Sequence, residues 1–193
     1  MQVWIAKAVV LAATVAMIAI RAPHGQRSRT VATAKSFKGR LETALLCLAW
    51  LGFLVPLVWL ASPLFAVADY PLHAWPFALG CALLALGLWL LHRSHADLGT
   101  NWSITLELRE NHTLVVHGIY ARVRHPMYLA LFLHSIGQAL VLPNWIAGRA
   151  YLLTFGLLFV LRFRAEERML IERFGDEYQS YSARTRRLVP GLW

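Results

Sequence analysis

Two short stretches carry residue types from which a site for a charged ligand can be built. In "ARVRHPMYLALF", residues 121–132, Arg124 and His125 stand directly before Pro126, with Tyr128 close behind. Proline suits the first turn of a helix, where its missing N–H costs nothing. The free N–H groups of such a helix start attract an anion, and an adjacent guanidinium adds a planar two-pronged donor. That chemistry suits a carboxylate or a phosphate. In "RFRAEERMLIERFGDEYQSY", residues 162–181, Glu166 and Glu167 supply acceptors for hydroxyl groups or an ammonium. A basic cluster and an acidic pair facing one cleft would suit a zwitterion.

Each stretch also has a plainer reading. Arginines at the end of a membrane span are routine topological charge, and Arg122 fits that role well. In the second stretch, Arg162 and Glu166 are i, i+4 neighbours, as are Arg164 and Arg168. Leu170, Ile171 and Phe174 could pack beneath an otherwise solvated helix. What separates the readings is whether the fold brings the two stretches together.

The elements that must do so are apolar. The 193 residues are 58% hydrophobic and 15% charged, against about 25% charged in soluble domains. The apolar residues fall in blocks long enough to cross a bilayer. These are 3–20, 41–61 (kinked at Pro56), 75–92, a short fourth at 126–142, and 145–161. The second helix of the closing hairpin should run on through "RFRAEERMLIERF" to a stop at Gly175, with Asp176 capping a last short helix. The fourth and fifth spans then turn tightly at Pro143-Asn144, so their inner ends share one membrane face. Arg124-His125 and Glu166-Glu167 become neighbours. The expected fold is all-α, an integral membrane bundle of about five transmembrane helices with a cofactor-binding loop and C-terminal helices. Residues 1–92 provide three spans and 93–193 the chemistry, in one structural domain.

Charge orients the bundle. The net charge is +9, and of 19 Lys and Arg, six lie in 21–40, four in 92–125 and seven in 162–193. The connectors 62–73 and 143–148 carry none. The positive-inside rule places the basic loops, the C-terminus and the site in the cytoplasm and the N-terminus outside. This bias fits a membrane protein better than a nucleic-acid surface. Lys7 and Arg149 would anchor at the outer interface. Cys47 and Cys81 lie in apolar blocks, read as buried free thiols, and no metal site is indicated. The "NWS" and "NHT" sequons fall in a cytoplasmic loop. Within 93–125, alternation at Ile104, Leu106 and Leu108, a turn at Glu110-Asn111 and the run Leu114-Val116 suggest a small hairpin or ordered loop.

The stretch "HTLVVHGIYARVRHPMYLALFL", an "NW" beyond it, and "RAEERMLIERFGDEYQSYSARTRRLVPGLW" resemble the isoprenylcysteine carboxyl methyltransferase and phospholipid methyltransferase superfamily of integral membrane enzymes. The resemblance covers roughly residues 93–193. R-H-P-x-Y with a downstream E-E and F-G-x-x-Y-x-x-Y is specific as a combination. It implies S-adenosylmethionine at the cytoplasmic face and a lipid-like or small apolar methyl acceptor, with an isoprenylcysteine carboxylate favoured. Carried over, it places His112, Leu114, Val115, Gly118, Tyr120, His125, Pro126, Tyr128, Glu166 and Glu167 around the cofactor. It gives Arg124, His125 and Glu167 catalytic roles. Arg124 would orient a carboxylate acceptor, and His125 or Glu167 would serve as base for an amine or thiol.

The chain departs from the pattern at Leu129-Ala130-Leu131, where only Ala130 is small. His134 is either a satisfied core residue or part of the acceptor path. Competing readings are an NADPH-dependent membrane reductase related to sterol reductases, suggested by R-H-P-x-Y and the "VPGLW" ending, and a small non-catalytic membrane protein. Whether the chain is a monomer or a homo-oligomer is left open.

Overall fold

In the computed structural model, which describes residues 2–30, 32–36, 39–109 and 112–189, the apolar blocks are helices. In chain order the elements are α1 (Val3–Thr30), β1 (Thr33–Ser36), α2 (Arg40–Ala61), α3 (Ala74–Leu98), β2 (Glu107–Arg109), α4 (Pro126–Val141), α5 (Trp145–Phe174) and α6 (Asp176–Arg184). Four helices, α1, α2, α3 and α5, are long and apolar enough to cross a membrane. The 16 residues of α4 rise only about 24 Å, less than the roughly 30 Å of a hydrocarbon core. In the most apolar windows of α1, α2 and α3, only 28% of residues are buried within the protein. Leu11, Leu51, Leu86, Leu153 and Val160 are among the large side chains left exposed. So broad an apolar belt is satisfied by lipid rather than water. The chain is a multi-pass integral membrane protein.

α3 and α4 pack most closely, along a seam of glycines. A Cβ at Gly87 would come within 2.9 Å of the Ala130 carbonyl oxygen, and one at Gly137 within 2.8 Å of the Gly80 carbonyl oxygen. In lipid, helices gain little from burying leucine against leucine, so small residues that admit close backbone contact hold them together. α1 lies on α3, while α2 lies on α5. At the hairpin between α4 and α5, Asn144 is fully buried. Its side chain accepts from the N–H groups of Ile146 (3.0 Å) and Ala147 (2.7 Å), capping α5. Its amide donates to Asp69 at 2.6 Å, and Trp59 donates to the same carboxylate oxygen at 2.7 Å. That network closes the end of the bundle opposite the candidate site.

Several expectations need correction. Residues 21–30 are not loop, because α1 continues to Thr30 and Ser28 Oγ donates to the Trp102 carbonyl at 2.8 Å. The alternation around Leu106 does not form a hairpin with Leu114-Val116. β2 pairs antiparallel with β1 instead, Ser36 opposite Glu107 and Lys35 opposite Leu108. Leu106 and Leu108 bury against Met169 of α5, which seats this two-stranded ladder on the helix. The proposed turn at Glu110-Asn111 and the "PGLW" ending lie outside the described residues. Cys47 is exposed on the lipid-facing side of α2 rather than buried. Gly175, at φ 52°, ends α5 and precedes α6, while Asp176 sits in the first turn of α6 without a side-chain cap.

Adding bulk at the glycine seam should separate α3 from α4. Gly137→Val is expected to cost about 1–3 kcal/mol, the usual range for overpacking. Thermal unfolding in detergent micelles should show a lowered midpoint, with Gly156→Ala, whose Cβ would meet only the Phe132 ring edge at 3.9 Å, as the control that should not lower it.

Candidate active site

Arg124 closes a clasp. Its guanidinium donates from Nη2 to Glu167 Oε1 at 2.9 Å and from Nε to the same oxygen at 3.2 Å. Nη1 donates to the Ser182 carbonyl at 2.8 Å and to that of Thr185. The backbone follows suit, with Arg124 N donating to Arg186 O at 2.8 Å and His125 N to Arg187 O at 3.0 Å. The chain before α4 is thereby stitched to the chain after α6. Glu167 gathers further partners. His125 Nε2 lies 3.4 Å from it and Arg187 Nε 3.3 Å.

Arg124, expected to hold or orient an anion, borders the cavity described below, and its fork is engaged by Glu167 and two carbonyls. The reason is tertiary, since the C-terminal segment folds back onto the α4 start.

Glu166 and Glu167 divide in direction. Successive helical residues point about 100° apart, and Glu166 lines the cavity while Glu167 faces the clasp. The Tyr128 hydroxyl donates to Glu166 Oε2 at 2.6 Å. His125 lies between the two carboxylates, its Nδ1 3.8 Å from Glu166 Oε1. It is 4% exposed and is the N-cap position of α4, which begins at the buried Pro126.

The cavity has a volume of about 570 Å³, within the range of small-ligand sites. Its polar lining includes Asn101, His112, Glu166 and Tyr178, and its apolar lining includes Met17, Phe53 and Phe155, which belong to one buried cluster. Leu114, Val115, Tyr120, His125, Pro126 and Tyr128 all line it, as the sequence suggests. The His112 ring lies 5.8 Å from that of Phe174.

Gly118 does not line it. At φ 59° it makes a tight turn whose Cβ position is filled by the Asp97 carboxylate, and that carboxylate accepts from Ile119 N at 2.8 Å. Only glycine fits there, so its role is to shape the loop. His134 is 2% exposed, packs edge-on against Tyr151 at 6.5 Å and does not line the cavity.

α6 supplies two lining tyrosines from the F-G-x-x-Y-x-x-Y pattern. Tyr181 donates to the Tyr120 carbonyl at 2.7 Å, and burial pushes its hydroxyl up to about 12. Burial likewise drives Tyr178 well above its ordinary range, so both remain protonated donors at neutral pH. The Tyr178 hydroxyl is buried with no hydrogen-bond partner among the described residues. A buried orphan donor in a cavity wall is costly unless a ligand satisfies it.

Sequence reasoning gave no cavity role to Arg162, which donates to the Ile104 carbonyl at 2.8 Å and lies 3.5 Å from Glu42 Oε1. That oxygen also accepts from Leu106 N at 2.7 Å. Reading Arg162 as an i, i+4 partner of Glu166 hid this. The relevant signal is an arginine at the last apolar turn of a span, whose charge must find a partner inside the bundle.

This arrangement has known counterparts. Residues 78–172 match the model of the isoprenylcysteine carboxyl methyltransferase (ICMT) family. That segment, just under half of the chain, is similar to the family. The mouse protein-S-isoprenylcysteine O-methyltransferase is 38% identical over 112 residues, 57% of this chain and 40% of its own length. The fission yeast (Schizosaccharomyces pombe) protein of the same name is 33% identical over 115 residues, 58% of this chain and 48% of its own length. The chain therefore spans less than half of these relatives. The solved structure of a eukaryotic intramembrane Ras methyltransferase, ICMT, superposes with TM-score 0.55 at 27% identity, covering 81% of this chain and 55% of that one. The family name implies a methyl donor, and these matches do not favour the reductase reading.

The division between the glutamates is testable. Glu167→Gln should lower the melting midpoint, because losing one partner of a largely buried ion pair typically costs about 3–5 kcal/mol. Glu166→Gln should leave the midpoint nearly unchanged and act on ligand binding instead. Differential scanning fluorimetry and a binding titration on both variants would show the contrast, and equal melting losses would contradict it.

Proposed function

We propose that the protein is a membrane methyltransferase using S-adenosylmethionine and methylating a lipid-like acceptor, with the carboxylate of an isoprenylcysteine as the favoured class. The observation that carries this reading is one cavity whose lining brings together Glu166, His125, Tyr128 and the orphan hydroxyl of Tyr178 with apolar residues of α1, α2 and α5. The match to the family model and the printed names of the relatives support it.

The residues fit the cofactor. Glu166 would accept from its ribose hydroxyls or ammonium, and Tyr178 would donate to an oxygen. Leu114, Val115 and Tyr128 would pack its adenine. When bound, S-adenosylmethionine supplies an electrophilic methyl group on a sulfonium.

The chain's own task is then to bind, align and exclude water, which is where most of the rate of an in-line displacement comes from. The 103–107 segment, which leads into β2, lines the cavity. A carboxylate acceptor is already ionised at neutral pH, so no base is required. That suits a site in which His125 is held between two glutamates. Arg124 and Glu167 position the α4 start and α6 rather than touch the reacting atoms.

The acceptor's apolar tail would enter between α1 and α2. These helices pack on different partners, α3 and α5, and both line the cavity. The basic loops and C-terminus would face the cytoplasm, in line with the positive-inside rule. Residues 1–92 and 93–193 would act as one structural unit, since α1 and α5 border the same cavity.

A radiolabelled methyl-transfer assay on purified protein tests the reading. Label should pass to a prenylcysteine and not to phosphatidylethanolamine or a simple thiol. Tyr178→Phe should weaken S-adenosylmethionine binding by about tenfold, the value of one good hydrogen bond, with the prenylcysteine KM little changed. Label in the amine lipid alone, or retention of NADPH instead of S-adenosylmethionine, would refute the proposal.

A further inference from the structure

The charge pattern assigns Arg21 to the general basic segment after the first span. The structure places it differently. α1 continues past it, and Met17, Ile18, Arg21, Ala22 and Gly25 form one stripe lining the cavity. The Arg21 guanidinium lies 5.4 Å over the ring of Trp102, which also lines the cavity. Among the described residues no carboxylate pairs with it. Arg162, which lines the same cavity, faces it as a like charge. The Arg162 charge is answered by Glu42 at 3.5 Å, and that of Arg124 by Glu167 at 2.9 Å. Arg21 is the cavity-lining arginine left without an anion. A cation inside a membrane bundle is costly unless something neutralises it, and such residues usually mark a ligand site.

Position indicates which ligand. Met17 and Ile18 sit about one helical turn before Arg21 on the same face, and Met17 shares one buried apolar cluster with Phe53, Tyr151 and Phe155. Glu166 and Tyr178, suited to the cofactor, belong to the polar lining of the same cavity. Arg21 thus marks the place where a lipid tail would end and a headgroup begin.

We propose that Arg21 is the specificity-determining residue for the methyl acceptor, supplying the counterion for the acceptor's carboxylate. The inference rests on the methyltransferase reading above. An anionic headgroup cancels the unpaired charge, whereas an ammonium headgroup would meet the uncompensated charge of Arg21 and be repelled. The cavity therefore selects carboxylate acceptors over amine lipids through repulsion as well as attraction.

The test measures binding of S-farnesylcysteine and of its methyl ester, which lacks the negative charge, to wild type, Arg21→Gln and Arg21→Lys. Wild type should bind the acid about tenfold more tightly than the ester, Arg21→Gln should lose the preference, and Arg21→Lys should retain most of it. S-adenosylmethionine affinity should stay within about twofold throughout, since the proposed cofactor partners are Glu166 and Tyr178 rather than Arg21. Melting midpoints confirm folding, and the lysine variant keeps the charge if glutamine proves unstable. A preference for the acid that survives in Arg21→Gln, or its absence in wild type, overturns the assignment. A matching fall in S-adenosylmethionine affinity does so too, by giving Arg21 to the donor's carboxylate. Wild-type methyl transfer is scored separately. An Arg21-dependent acid preference without turnover would sink the methyltransferase reading while leaving Arg21 as a carboxylate site. Turnover with an Arg21-independent preference would do the reverse.

Discussion

The carboxylate of Glu167 holds the polar half of the protein together. It takes two guanidinium N–H groups from Arg124 and lies within ion-pair distance of His125 and Arg187. Through Arg124 it is linked to the carbonyls of Ser182 and Thr185, just where α6 ends. Three chain segments far apart in sequence therefore meet on one side chain. The consequence is positional. α6 is held against the loop before α4, and Tyr178 and Tyr181 are carried into the wall of the cavity. A carboxylate shielded from water and surrounded by donors is a strong anchor because each partner would be stranded without it.

The membrane supplies the complementary constraint. Helices surrounded by hydrocarbon gain little from apolar contact with one another, so the bundle relies on the glycine seam of α3 and α4 and on capped, hydrogen-bonded ends. The Asn144–Asp69–Trp59 network fastens one end and the Glu167 clasp the other. Between these fixed ends α1 and α2 pack on different partners, and both line the cavity. The β1–β2 ladder is seated through Leu106 and Leu108 on Met169, and Glu42 ties α2 to the same segment. The cavity lining combines polar and apolar side chains.

What could be read from the sequence followed from local and periodic rules. Apolar blocks of span length dictate membrane helices. Pro126 after His125 dictates a helix start, and Gly175 a helix end. A tight turn before Asn144 brings the E-E pair back to the face from which R-H-P departs. The combination of those motifs pointed to the family resemblance, and several of their residues, including His112, Leu114, Val115, Tyr120, Tyr128 and Glu166, line the cavity.

Tertiary contacts decided the rest, because charge alone does not say where a partner lies. Arg124 looks like an open anion fork in sequence, yet residues 182–187 fold back and saturate it. Glu166 and Glu167 are equivalent in a motif, and only the rotation of α5 turns one to the cavity and the other to the clasp. Gly118 matches a cofactor loop, but the Asp97 carboxylate occupies the space beside it. Arg21 reads as one of several basic residues after a span, until α1 is seen to continue and carry it to the cavity. Local sequence sets helix limits through backbone hydrogen bonding and burial of apolar surface. The pairing of each buried charge depends on which distant segment arrives beside it.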